Sequence, residues 1–128
     1  MSKHMKALYV TTFGDDTIDL PVPLEVEGYA CGIIEMTGKI NNKFKGEFFL
    51  CCDICEESFV GEIRMPVLRN IKRKATGLII NDINHVVWLR VMRPHISNIR
   101  FYIANVNGEI LTVDNSKLKC TLLFIPPK

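Results

Sequence analysis

The densest concentration of chemically able side chains is Cys51-Cys52-Asp53-Ile54-Cys55. Two cysteines three residues apart are half of a zinc knuckle, because tetrahedral zinc takes thiolates supplied in close pairs. A complete site needs a second pair, and the chain offers only the isolated Cys31, Cys120, His4, His85 and His95. In an extended strand Cys52 also points away from Cys51 and Cys55, since successive side chains leave opposite faces. The five cysteines are therefore read as reduced, buried thiols that behave as small hydrophobes. No metal and no other cofactor is expected, and zinc analysis of reductant-treated protein checks the point. A nucleophilic enzyme needs its thiol or hydroxyl beside a base and an orienting group. Cys55 with His85 or His95 is the nearest approach, and nothing in the spacing predicts that they meet. There is no phosphate-cradling glycine loop, no H-E-x-x-H, no G-x-G-x-x-G and no paired-carboxylate motif. The expectation is a non-enzyme with no catalytic residues.

The other local excess is basic. Arg69, Lys72, Arg73 and Lys74 place four positive charges in six residues. Such a run can neutralise nucleic-acid phosphates, but it lacks the aromatic platform on which bases stack, so its plainer reading is a solvated loop. Over the whole chain sixteen Lys and Arg face fourteen Asp and Glu. A net charge of +2 is too small to demand a polyanionic partner.

The elements that must carry these residues are strands. In residues 86–92, 99–103 and 118–125 one alternate set is wholly apolar: Val87, Leu89, Val91; Ile99, Phe101, Ile103; Leu118, Cys120, Leu122, Phe124. Period-two alternation is the signature of a strand with one buried face. Earlier, residues 7–12 form a strand that ends at Gly14-Asp15-Asp16, and Ile18, Leu20, Val22, Leu24 and Val26 alternate with polar residues and prolines. Pro21 and Pro23 cannot donate to a ladder, which assigns this second strand to a sheet edge. Residues 29–37 make a third strand. Residues 44–55 make a fourth that is apolar on both faces, with Phe48, Leu50, Cys52 and Ile54 opposite Phe49, Cys51 and Cys55. Such a strand must be covered on both sides, by its own chain or by a second copy. Gly61 and Pro66 interrupt the helical spacing of Val60, Ile63, Val67 and Ile71, leaving loop, a short strand over 67–71, and loop again. Residues 76–80 are a further strand.

About eight short strands, punctuated by turns roughly every ten residues, predict an all-β fold: a single jelly roll, an antiparallel two-sheet sandwich. One domain over residues 6–128 accounts for the chain, and residues 1–5 are an N-terminal extension or an expression remnant. At 48% apolar residues the composition is that of a folded chain. No apolar run reaches the roughly 18 residues of a membrane helix, and no secretory pattern opens the sequence. Synthesis inside a cell, without membrane partners, is expected.

The order of these segments resembles the minor capsid protein, or penton protein, of Polinton/Maverick elements and adintoviruses, a family of small single jelly-roll proteins. The resembling residues run from Cys52-Asp53 to Val60-Gly61, through Pro66-Val67-Leu68-Arg69 and Ile96-Ser97-Asn98-Ile99-Arg100-Phe101-Tyr102-Ile103 to Asn107-Gly108, and close with Leu118-Lys119-Cys120-Thr121-Leu122-Leu123-Phe124. They cover about the C-terminal two-thirds, and their order and spacing, rather than any one signature, carry the likeness. The resemblance implies a structural protein of the virion: a homopentamer closing the vertices of an icosahedral shell, with itself and the major capsid protein as partners and packaged DNA as a further one. Subunit-contact candidates are Trp88, Arg90, Met92, Arg100 and Tyr102, a face too mixed for core, together with Phe49 on the second apolar face of the fourth strand. Two rivals are a receptor- or glycan-binding jelly-roll module and an intracellular nucleic-acid-binding module using Arg69, Lys72, Arg73 and Lys74.

Overall fold

The structure, a computed structural model, describes residues 4–13, 15–39, 47–71, 78–79, 85–111 and 117–127. Its strands are β1 (Lys6–Thr12), β2 (Asp15–Glu25), β3 (Ala30–Lys39), β4 (Phe48–Cys52), β5 (Ser58–Val60), β6 (Ile63–Met65), β7 (Val67–Ile71), β8 (Leu78–Ile79), β9 (Leu89–Arg90), β10 (His95–Asn105) and β11 (Lys117–Ile125). One sheet has the order β1-β11-β3-β8, with β9 also on β3, and the other has the order β2-β10-β4-β7. Successive strands of the two sheets cross between them at every step except β4 to β7 and β8 to β9. All their pairings are antiparallel. This interleaving of two Greek keys is the jelly-roll topology, as the strand count and rhythm predict.

The core lies between the sheets. From β10 it takes Ile96, Ile99, Phe101 and Ile103, and from β11 Leu118, Cys120, Leu122 and Phe124. These are the alternate apolar sets of the sequence, and they occupy the inward positions of two central strands. Leu89 and Val91 join them, whereas Val87 is 53% exposed. The strand expected over 86–92 is only two residues long, so the alternation does not extend back to Val87.

Three further corrections have local causes. In β2, Ile18, Leu20 and Leu24 pack on the core, but Val22 is exposed. Leu24 pairs with Ile96 and Asp19 with Asn98, so four β2 residues stand opposite Ser97 alone and the chain bulges outward around Pro21 and Pro23. The prolines do sit on an edge strand, as their missing N–H requires. The fourth strand ends at Cys52 instead of continuing to Cys55, because residues 52–55 form a turn in which Cys55 N donates to Cys52 O at 3.3 Å. That turn brings Cys52 and Cys55 into the same core, against the expectation from continued alternation.

The third correction concerns 56–65, where a hairpin replaces the expected loop. Gly61, at φ +61°, takes the left-handed conformation that a tight β5–β6 turn demands. The hairpin covers the outer face of the second sheet: Phe49, Cys51, Met65 and Ala104 form a second buried cluster, with Val60, Ile63, Val67 and Tyr102 packed on it. The apolar second face of β4 is thus covered by its own chain.

Candidate subunit-contact surface

The contact candidates separate into three groups. Phe49 is only 7% exposed beneath the β5–β6 hairpin, so it is a core residue and not a surface one. Arg100 and Tyr102 lie on the outer face of the second sheet, where the guanidinium sits 5.1 Å from the Tyr102 ring centroid and donates to both carboxylate oxygens of Asp15 at 2.9 and 3.0 Å. Asp53 anchors the same strand by accepting from Arg100 N at 3.0 Å and pairing with Arg93 at 3.1 Å. These groups are committed within the subunit, where they fix β10 to the edge strand β2. Trp88, Arg90 and Met92 belong to the segment beside the first sheet, so the five candidates do not share one sheet face.

The segment bearing Trp88 and Met92 is strapped to both halves of the sandwich. Val91 N donates to Tyr29 O at 3.0 Å, Met92 N to Ile54 O at 2.8 Å, and Glu56 N to Arg90 O at 3.0 Å, while the Glu56 carboxylate accepts from Arg90 N. Trp88 is therefore held on a rigid support while remaining 41% exposed. Gly32 makes this possible. A Cβ there would meet Val86 Cγ1 at 2.6 Å and Val87 O at 2.8 Å, so only glycine lets residues 86–88 lie flat on β3. Gly32→Ala should displace them, cost about 1–3 kcal/mol in urea unfolding, and red-shift the fluorescence of the chain's single tryptophan.

Leu123 pairs with Gly32 on one side and Ala7 on the other. On the outer face of the first sheet, Ala7, Leu123 and the strapped Val87 and Trp88 thus stand in one row. Tyr9, 80% exposed, lies in the next. Tyr9 is the residue missed in the sequence, although its position opposite in parity to Leu8 and Val10 marks it as an outward aromatic. Lys39, Lys117 and Lys119 border the far end of this face.

The two sheet edges at β1 and β2 are unlike. Edge β2 carries two prolines and a bulge, devices that prevent stray pairing. Edge β1 pairs with β11 in unbroken register, contains no proline, and has no strand on its other side among the described residues.

The basic run is only partly described: Lys72, Arg73 and Lys74 lie outside the described residues. Arg69 donates from Nη1 to His85 O at 2.6 Å, which directs that guanidinium to its own chain. All five cysteines are free thiols in buried positions. Burial pushes Cys51 and Cys120 up to about 12, and hydrogen bonding with Cys31 and then Cys52, with burial, raises Cys55 strongly. Among the described residues no group of three ligand side chains has metal-binding geometry, and no helix is long and apolar enough to cross a membrane.

The Asp15–Arg100 pair sets a pH dependence. The hydrogen bond from Arg100 holds the Asp15 carboxyl below its usual value of 3.8. A depressed carboxylate stabilises the fold above its unfolded pKa, and that contribution disappears as pH falls through the folded value. Asp15→Asn should therefore lower the urea midpoint near neutrality, and its difference from the parent should shrink as pH falls below the usual carboxylate value and through the lowered folded one.

The fold and surface together define an antiparallel jelly-roll protein with an apolar, aromatic outer sheet face. Comparison with protein-family models, with curated proteins and with solved structures finds no match to the chain.

Proposed function

We propose that the chain is a structural capsid subunit, a penton-type minor capsid protein of the kind found in Polinton/Maverick elements and adintoviruses, which acts by head-to-tail self-association into a five-membered vertex. The observation that carries this reading is the outer face of the first sheet, where Tyr9 on edge strand β1 and Val87 and Trp88, in the segment laid over β3, are all exposed, and β1 has no strand on its other side among the described residues. Exposed apolar area of this kind marks a surface that meets another protein, and aromatics concentrate in such contacts.

A ring needs two unlike patches on each copy, because a heterologous contact joins one surface to a different one. The β2 bulge supplies the second: exposed Val22 between Pro21 and Pro23, bordered by the acids Asp19, Glu25 and Glu27. Its acidic border complements the Lys39, Lys117 and Lys119 border of the sheet face. Opposed charge of this sort sets partner orientation and suppresses like-to-like pairing. The major capsid protein would engage the surfaces that the ring leaves free.

Light scattering across a concentration series tests this reading. The proposal expects a mass five times the 14.6 kDa subunit at high concentration. A mass that stays at one subunit throughout counts against it.

A further inference from the structure

Cys31 on β3 of the first sheet and Cys55 in the turn that follows β4 of the second are far apart in sequence, yet their sulfurs stand 3.7 Å apart inside the core. From this pair we infer an oxidation site: Cys31 and Cys55 form an internal disulfide that ties the two sheets together when the protein meets a peroxide. A disulfide has an S–S length near 2.05 Å. Bond formation would have to close the remaining ~1.7 Å between the sulfurs, with the backbone of both residues held in place. Cys31 pairs with Leu89 on one flank and Phe124 on the other, and Cys55 bridges Val91.

The chemistry balances with one equivalent of hydrogen peroxide. One thiol, as thiolate, attacks a peroxide oxygen; the O–O bond breaks, one water leaves and a sulfenic acid forms. The second sulfur then attacks the first, and the S–O bond breaks to release a second water. Two thiols lose two electrons and two protons, and the peroxide is reduced to two waters. Hydrogen bonding with Cys31 and Cys52, with burial, raises the Cys55 thiol and keeps it protonated near neutrality, so the rate should climb with pH. Cys52, which also hydrogen-bonds Cys55, is the competing partner. Cys51 lies in the second cluster, on the other side of its sheet. This inference does not depend on the capsid reading.

The test is a thiol titration of the full chain in denaturant, before and after peroxide treatment of the folded protein, with peptide mapping of any disulfide formed. The reduced protein should show five thiols and the oxidised protein three, with the lost pair mapping to Cys31 and Cys55. Cys31→Ala and Cys55→Ala should each keep all four of their thiols through the treatment, while Cys52→Ala should fall from four to two. Should an alanine variant fail to fold, the map of the parent protein decides alone. Five thiols surviving in the parent, or a bond mapping to Cys52–Cys55, would overturn the inference.

Discussion

On the capsid-vertex proposal, replacing Tyr9 and Trp88 together by aspartate should leave a folded 14.6 kDa monomer that no longer self-associates. Both aromatics stand on the outer face of the first sheet, and each presents a large, rigid surface whose burial against a neighbour costs little conformational entropy. Central aromatic contacts are typically worth about 2 kcal/mol or more each when truncated. Losing both should weaken association by about a thousandfold, before counting the cost of burying two carboxylates in an apolar contact. Tyr9 is 80% exposed, and surface changes of that kind usually stay within about 0.5 kcal/mol, whereas Trp88, 41% exposed, also gives up packing on β3. Sedimentation velocity reads the association, and thermal melting reads the fold. Tyr9→Asp alone serves as the control for any loss of Trp88 packing on β3. A double variant that melts like the parent and still associates at the same concentration would remove this face from the contact.

The second large effect is expected in the core. Phe101 is fully buried on β10, between β2 and β4, and its inward face meets the opposite sheet. Phe101→Ala should cost about 3–5 kcal/mol, combining lost transfer free energy with the cavity left behind. That is a large part of the roughly 5–15 kcal/mol by which a domain is stable. Phe59→Ala offers the contrast, because that ring is 72% exposed on the β5–β6 hairpin, with the Arg64 guanidinium 5.5 Å from its centroid. Urea unfolding should separate the two by several kcal/mol, and equal effects would contradict the assignment of Phe101 to the core.

These two phenylalanines show what the sequence could reveal. Phe101 belongs to an unbroken alternation, Ile99-x-Phe101-x-Ile103, and a long central strand in regular register obeys that alternation. The same logic located β11, while Pro21 and Pro23 marked the edge position of β2 and the breaks at Gly61 and Pro66 left room for the short β7. It failed wherever the backbone left strand geometry. Val22 rides on a bulge, Cys52 and Cys55 are brought together by a turn, and Val87 precedes a strand of only two residues. Phe49 misled for another reason. Its outward apolar face was legible, but its cover is a hairpin whose strands are three residues each, too short for a periodic signal.

The contact surface was half legible. Trp88 stands out as the lone tryptophan on a mixed face, but its setting depends on Gly32, whose missing side chain has meaning only once residues 86–88 are seen lying over it. Tyr9 became conspicuous only when β1 was placed at the end of its sheet. Arg100 and Tyr102 were expected at the surface because of their polarity. The carboxylate that Arg100 binds, Asp15, is 85 residues away in sequence, a separation that no local pattern reports.

The most direct measurement of the central claim is a set of class averages of the purified protein in negative stain. The capsid-vertex account predicts small rings of five-fold symmetry, absent from the Tyr9→Asp, Trp88→Asp double variant. Single unassociated particles, or assemblies of two-fold or three-fold symmetry at all concentrations, would contradict it.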